Sequence, residues 1–468
     1  MKSSTTPGIS PKPQTPSKAA GALREKIDAK TAVVGIIGQG YVGLPLSLVV
    51  AEKGFSTLGF DVDAQKIAAL NAGESFIHYV RGERITAARK ANKYEATLDF
   101  SRLGECDVVL ICVPTPLTPQ REPDLRYVRV ATEQIRDSLR SGQLVVLEST
   151  TYPGTTDELV KSILEGETGR DGEEAPKLVC GEDFFLAFSP EREDPGRENF
   201  TTATIPKVVG GVDPLSGDLA DLFYSAVISK TVRVSSARAA EASKLTENIF
   251  RAVNIALANE LKMIYDRLGI DVWEVLDAAE TKPFGFMRFN PGPGWGGHCI
   301  PLDPFYLTWK AREAGSTTRF IELAGEINVQ MSDHVVERIM MALNERAKPV
   351  HGSRILILGL AYKKNIADPR ESPAFEILDK LLDLGASVNY HDPHIPVAPS
   401  MRRHPEFAGL ESMELTKENV KSQDAVVIIT DHDAVDYGML ADHAQLIVDT
   451  RGVMRKMRDR VNGRLVQA

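Results

Sequence analysis

The sequence is poor in cysteine. Its 468 residues hold four, Cys106, Cys112, Cys180 and Cys299, and no two form a CxxC pair. That excludes a disulfide scaffold and a Cys-rich zinc site, no metal is expected, and a reducing cytoplasm fits. There is no apolar run approaching the roughly 20 residues that cross a bilayer, and no charged n-region followed by an apolar h-region at the start. Neither a membrane span nor a secretory leader is therefore expected. Positive charge is also in deficit: 55 Lys and Arg face 64 Asp and Glu, a formal net charge of -9. A general binder of nucleic acid or of anionic membrane needs the opposite balance.

What is present is alternation. Residues 1–30, rich in Ser, Thr, Pro and Lys, read as a disordered tail, with order expected from Thr31. Short apolar runs then alternate with helical patterns: 31–37, 55–60, 106–113, 143–147, 184–188 and 207–209 read as strands. The polar, Gly-rich stretch 165–177 reads as an exposed loop insert. From about Ala239 to Leu268 the pattern is one long helix with Leu245, Ile249, Val253, Ala256 and Leu257 at helical spacing, and a second helical stretch covers 316–346. At Arg354 the alternation restarts. The expected class is α/β: two Rossmann-like parallel-sheet domains joined by a central all-helical domain with a long helix. The expected division is 1–30, 31–212, 213–345 and 346–468.

Gly38-Gln39-Gly40-Tyr41-Val42-Gly43 follows a strand and opens a helix, and Asp61 ends the next strand. This is the dinucleotide fingerprint. Gly38 permits the tight turn, Gly40 lets backbone approach a pyrophosphate, and Gly43 lets helix pack on strand. The helix start, from Tyr41 and Val42 onward, offers free N–H groups to phosphates. Asp61 would accept from the ribose hydroxyls, and a carboxylate there repels a 2′-phosphate, which favours NAD over NADP. The alternative is a glycine turn kept for packing alone.

The run NPGPGWGGHCIPLDP at Asn290–Pro304 is too rich in Gly and Pro for a helix or central strand. An average cysteine is a small buried hydrophobe; the glycines around Cys299 expose it instead. His298 is adjacent, but neighbours in extended chain point apart, so it is not the base for Cys299. Contact with a substrate and a loop hydrogen bond both remain open for it. On the long helix, Lys244 and Asn248 share a face, with Arg251 near it one turn on. That face is either solvated or turned into a cleft, where an ammonium and an amide would stabilise an oxyanion.

Eight motifs in order carry a resemblance: GQGYVGLPL at Gly38, VPTP at Val113, ESTTYPGTT at Glu148, SPEREDPG at Ser189, EASKLTENIFRAVNIALANE at Glu241, GGHCIPLDP at Gly296, GLAYKKNIADPRESP at Gly359 and DTRG at Asp449. From Thr31 onward the sequence resembles the nucleotide-sugar 6-dehydrogenases, the group containing UDP-glucose and UDP-N-acetylhexosamine dehydrogenases. The resemblance implies Cys299 as nucleophile, Lys244 and Asn248 as the oxyanion and water-positioning pair, and Asp303 as support of the cysteine and the water. It implies Thr150 and Glu191 in proton transfer through water. Thr115 and Arg451 join the cofactor-binding set, Arg451 and Lys363 meeting phosphate-bearing ligands. Arg251, Gly296, His298 and Lys363 form the substrate-binding set, and the last domain holds the UDP end. In the UDP-glucose branch an acid follows the SPE glutamate by four residues; here that position is Pro195, with Glu193 and Asp194 out of register, so the hydrolytic base is unassigned.

The cysteine segment and SPEREDPG look like the N-acetylhexosamine branch, particularly the UDP-N-acetylglucosamine 6-dehydrogenases. The implied activity is a four-electron, NAD-dependent oxidation of a UDP-sugar C6 alcohol by a homodimer or larger assembly, for surface polysaccharide. The competing readings are UDP-glucose or UDP-N-acetylmannosamine as substrate, a two-electron hydroxyacid dehydrogenase, and a non-catalytic NAD-binding protein.

Overall fold

The structure, a computed structural model, describes residues 18–77, 79–118, 120–166, 178–192, 202–297, 300–401 and 403–468. The first sheet has eight strands: β1 Val33–Ile37, β2 Ser56–Phe60, β3 Tyr94–Thr97, β4 Val108–Ile111, β5 Leu144–Leu147, β6 Phe185–Phe188, β7 Lys207–Gly211 and β8 Thr231–Arg233. Their order is β3-β2-β1-β4-β5-β6-β7-β8. All neighbours are parallel except β6 and β7, which pair antiparallel. Strands β4, β5 and β6 are wholly buried, as continuous apolar runs covered by helices on both faces should be. In register, Ile37 faces Phe60 on one side and Ile111 on the other. The residues that follow, Gly38, Asp61 and Cys112, thus gather at one sheet edge, where the strand order reverses and doubly wound folds place ligands.

The second sheet has five parallel strands, β9 Arg354–Leu358, β10 Ser387–His391, β11 Ala425–Ile428, β12 Ile447–Asp449 and β13 Leu465–Gln467, in the order β10-β9-β11-β12-β13. Leu358 faces His391 and Ile428, which brings Gly359, Asp392 and Ile429 to a second reversal point of the same kind. Between the sheets in sequence lie the helices Ala237–Leu268, Val272–Glu280, Asp303–Glu313 and Arg319–Asn344. The two parallel sheets and the helical middle are those the alternation predicts. The antiparallel β7 is not.

The chain separates into two compact units. One runs to Ala242 without Pro116–Pro123; the other holds Pro116–Pro123 and Ser243–Ala468. The helical middle and the second sheet share a unit because they share a core. Val335, Val336, Ile339, Ala342 and Leu343 of the helix Arg319–Asn344 pack in one cluster with Ile355 and Ile357 of β9.

Two sequence expectations need correction. Order begins before Thr31: Lys18–Asp28 is a helix. Ala20, Leu23 and Ile27 recur at helical spacing and are buried with Phe223, Tyr224 and Val227 of the helix Pro214–Val227. The composition of the preceding residues masked this stripe, and residues 1–17 lie outside the described residues, as does most of the expected loop insert. The long helix also buries a different face from the one its apolar spacing suggests. Leu245 and Ala256 are inside, but Leu257 is 51% exposed, with Phe250, Ile264 and Leu268 also outward. The buried face carries Glu241, Lys244, Asn248, Asn259 and Lys262. Among the described residues no helix is long and apolar enough to cross a membrane.

Candidate active site

The glycine turn follows the fingerprint in detail. Gly38 has φ +92°, and a Cβ there would lie 2.4 Å from the Cys112 carbonyl oxygen; on Gly43 it would lie 1.8 Å from the Gly38 oxygen. Both glycines are required by the chain's own packing. Gly40 is different, because a Cβ there would meet nothing within 4 Å. Its bareness is what close approach of a ligand phosphate would demand. The helix Gly43–Glu52 starts with Val42 at its N-cap and no side-chain cap bond; the Leu44 N–H already donates to the Gly40 carbonyl at 3.1 Å and Pro45 has no N–H, so a ligand would meet the N–H groups at the very start of the turn. Asp61 is buried and accepts from the Gln39 N–H at 2.9 Å and the Asp63 N–H at 3.0 Å. A carboxylate has about four acceptor sites, so two remain for ribose hydroxyls. Tyr41 is exposed and Thr115 buried. These residues fit a dinucleotide, which when bound supplies a hydride acceptor.

In the other unit, the structure brings together three of the sequence-predicted residues. The Asn248 amide donates to the Asp303 carboxylate at 2.5 Å. All three side chains, Lys244, Asn248 and Asp303, are buried. Burial pushes the Asp303 carboxyl up to about 6, against the opposing pull of the Lys244 ammonium and the Asn248 amide. Lys244 and Asn248 are therefore not a solvated face. Arg251 departs from them in burial: it is exposed, although its position one turn past Asn248 keeps it near their face.

Asp303 opens the helix Asp303–Glu313, with Pro304 in the first turn, where its missing N–H costs nothing. Upstream, the Gly292 N–H donates to Asn259 at 2.9 Å, and Asn259 donates to Asn328 at 2.8 Å. Gly296 and Gly297 lie against Tyr362: built Cβ atoms would approach its side chain to 2.7 and 2.9 Å. The chain's own packing thus accounts for the bareness of Gly296. His298 and Cys299 lie outside the described residues.

Thr150 and Glu191 belong to the first unit. Thr150 is half-buried just after β5. Glu191 lies near β6 and meets the Lys207 ammonium at 3.4 Å. Lys207 in turn holds Glu148 at 2.6 Å, and the Tyr224 hydroxyl donates to Glu148. Glu241, also buried, accepts from the Gly154 N–H, the Thr156 N–H and the Thr156 hydroxyl, and burial still pushes it up to about 7. Sequence reasoning did not single out Glu148, Lys207, Tyr224, Glu241 or Asn259. The available signal was a charge at the end of a wholly apolar strand, Glu148 after β5, and another heading β7, Lys207.

At the second sheet, Lys363 is half-buried in the loop after β9. Arg451, half-buried just past β12, donates to the Ile429 carbonyl at 2.7 Å, and its guanidinium lies against Gly292. The structure thus places Arg451 in the unit of the second sheet, whereas the glycine turn belongs to the first. Among the described residues no group of His, Cys, Asp and Glu has an arrangement that could hold a metal ion.

Known proteins match over the same extent. Three family descriptions fit consecutive stretches: the UDP-glucose/GDP-mannose dehydrogenase family NAD binding domain over residues 32–228, its central domain over 238–330 and its UDP binding domain over 356–456. UDP-N-acetyl-D-glucosamine 6-dehydrogenase of Pseudomonas aeruginosa is 37% identical over 378 residues, 81% of this chain and 86% of that protein. Protein CapL of Staphylococcus aureus is 35% identical over 439 residues, 92% of this chain and 98% of CapL. Among solved structures, the UDP-D-ManNAc dehydrogenase of Pyrococcus horikoshii matches with a TM-score of 0.81 at 30% identity, covering 93% of this chain and 98% of that one.

Proposed function

This chain belongs to the UDP-glucose/GDP-mannose dehydrogenase family, a group of NAD-dependent oxidoreductases, and from that premise we propose that it oxidises the C6 alcohol of a UDP-sugar to a carboxylate through Cys299. The observation that carries this reading is the buried Asn248–Asp303 bond beside Lys244. It sets an amide, an ammonium and a carboxyl four residues beyond Cys299 in the chain.

In the first oxidation the hydroxyl proton leaves through ordered water, assisted by Thr150 and Glu191, as a hydride departs from C6. The bound dinucleotide would supply the acceptor for this hydride, and a second NAD the acceptor for the later one. The Cys299 thiol adds to the resulting aldehyde as a thiohemiacetal, whose oxygen Lys244 and Asn248 stabilise. Loss of the second hydride leaves a thioester, and water hydrolyses it, releasing the carboxylate and returning the thiol. An aldehyde cannot reach the acid by hydride loss alone; the added sulfur makes the second loss feasible and then departs. Asp303 supports the cysteine and the water. Gly38, Gly40, Tyr41, Val42, Gly43, Asp61 and Thr115 hold the dinucleotide. Lys363, Arg251, Gly296 and His298 belong to the substrate side, with the UDP end at the second sheet, and Arg451 meets a phosphate-bearing ligand.

The substrate we favour is UDP-N-acetylglucosamine, on the motif likeness and the Pseudomonas relative, and the product feeds surface polysaccharide in the cytoplasm. The Pyrococcus structure favours UDP-N-acetylmannosamine as the second reading. The outward row Phe250, Leu257, Ile264 and Leu268 supports a homodimer through the long helix. A panel of UDP-sugars tests the whole reading by NADH yield. Two NADH per UDP-N-acetylglucosamine are expected, and none from Cys299→Ser beyond slow aldehyde chemistry. Two equivalents from that variant would overturn the cysteine route.

A further inference from the structure

In the first unit one buried ammonium serves two carboxylates. Lys207 heads β7, and its Nζ lies 2.6 Å from Glu148 Oε2 and 3.4 Å from Glu191 Oε2. The Lys207 and Glu148 side chains are 5% and 0% exposed, while that of Glu191 is 16% exposed. The other Glu148 oxygen takes the Tyr224 hydroxyl, and the other Glu191 oxygen takes the Arg192 N–H at 2.7 Å. The half-buried Cys112, just past β4, lies close enough to feel all three charges. Among the described residues, Lys207 from β7 meets Glu191 directly, Glu148 from the end of β5 shares that ammonium, Cys112 from the end of β4 lies near all three, and Tyr224 of the helix Pro214–Val227 joins them through Glu148.

Burying a charge pair in this way is a poor means of gaining stability, since apolar residues of equal volume do as well or better. A buried pair with one edge reaching the surface is more informative, because its charge acts on the accessible member. Burial alone would make Lys207 a weaker base, but the two carboxylates outweigh it and hold it above the usual lysine range. Glu148 is pushed up by burial, against the pull of Lys207.

We propose that Lys207 and Glu148 are positioning residues that set the proton affinity of Glu191. Lys207 draws Glu191 towards its carboxylate form, and Glu148, by taking the nearer share of that ammonium, keeps the draw partial. This rests on the reading of Glu191 as a proton-handling group. Its consequence is a pair of opposite displacements. Without the ammonium, Glu191 holds its proton to higher pH. Without the competing carboxylate, Lys207 acts on Glu191 alone, and the proton leaves at lower pH.

The test is the pH dependence of kcat/KM in the full chain with NAD and the preferred UDP-sugar, for Lys207→Met, Glu148→Gln and Glu191→Gln. The acidic limb should move up by about one pH unit in Lys207→Met and down by a similar amount in Glu148→Gln, roughly a tenfold rate change on the limb. KM for the UDP-sugar should stay within about threefold, a split that loss of packing would not produce. Glu191→Gln should abolish the limb. A limb unchanged in Glu191→Gln overturns the reading of Glu191 itself. A limb abolished there but moved in the same direction, or not at all, by the other two overturns this proposal. If Lys207→Met does not fold, the near-isosteric Glu148→Gln decides alone: only a downward displacement supports the proposal.

Discussion

The two sheets of this chain start alike and then diverge, and the divergence shows how one topology serves two ligands. Each first strand ends in a glycine of positive φ, Gly38 at +92° and Gly359 at +86°. In each, a Cβ would strike the neighbouring strand's turn, at Cys112 or at Thr430. Each second strand is followed by an aspartate that accepts from the first turn, Asp61 from Gln39 and Asp392 from Leu360 and Ala361. Two residues past the glycine, however, the first turn has bare Gly40 and the second has Ala361, a side chain where the first turn has none. The first turn runs straight into the helix at Gly43. The second runs on to Pro373, where Ser372 caps the helix with its own hydroxyl.

The aspartates differ most. Asp392 accepts from the backbone N–H groups of Leu360, Ala361, His394 and Ile395 and from the His432 ring. That exhausts a carboxylate, whereas Asp61 keeps capacity for a ligand.

The sharpest way to break this contrast is to remove each acid. Asp392→Ala strands several buried donors and should cost about 4 kcal/mol in denaturant unfolding, or prevent folding. Asp61→Ala should cost far less stability and instead raise KM for NAD well above any change in KM for the UDP-sugar. Equal losses of stability in the two variants would show that Asp61 is as structural as Asp392. A smaller effect separates Gly40 from its neighbours. Gly40→Ala should leave the unfolding midpoint within about 1 kcal/mol of the parent, since its methyl meets nothing. KM for NAD should rise roughly tenfold or more, the factor that one lost phosphate contact of about 1.4 kcal/mol produces. An unaltered KM would return that glycine to a packing role.

Much of this was legible locally. The glycine turn, its helix and Asp61 lie within 24 residues, and each glycine's role follows from what a Cβ would strike. Lys244 and Asn248 were legible as a pair four apart, but not their burial. Spacing put Leu257 inside and left the polar face undecided, whereas the structure buries Lys244, Asn248 and Asn259 and turns Leu257 out. Apolar periodicity reports the side that avoids water, and here a buried polar face and an outward apolar row coexist on one helix. Lys207 and Glu148 each carry a local signal, a charge at the end of an apolar strand, but their pairing was not legible, because they meet 59 residues apart and no local pattern records a pairing set by sheet order. The helix Lys18–Asp28 was hidden by the composition of its neighbours, although Ala20, Leu23 and Ile27 spell its stripe.

The last contrast concerns two buried aspartates in the same unit whose protons are biased in opposite directions. Burial pushes Asp303 up to about 6. Burial also acts on Asp392, but there the His432 ring and the backbone donors outweigh it and lower the carboxyl below its usual range. An unfolded aspartate titrates near 3.9. Asp303 therefore contributes stability that is full below about pH 4 and lost as pH rises through about 6, while Asp392 contributes stability that is full at neutral pH and lost as pH falls below about 4. Asp303→Asn cannot ionise and lacks the first slope. The unfolding free energy of the parent minus that of the variant should therefore decline between about pH 4 and 7, by about 3 kcal/mol, and level off above. Over the same interval the parent's kcat for acid release should rise, because in the proposed route the ionised carboxylate would be the form that supports Cys299 and its water. Stability and rate moving in opposite directions through one titration is what a carboxylate kept for chemistry should do. A flat difference, or one that grows with pH, would make Asp303 an ordinary structural acid like Asp392.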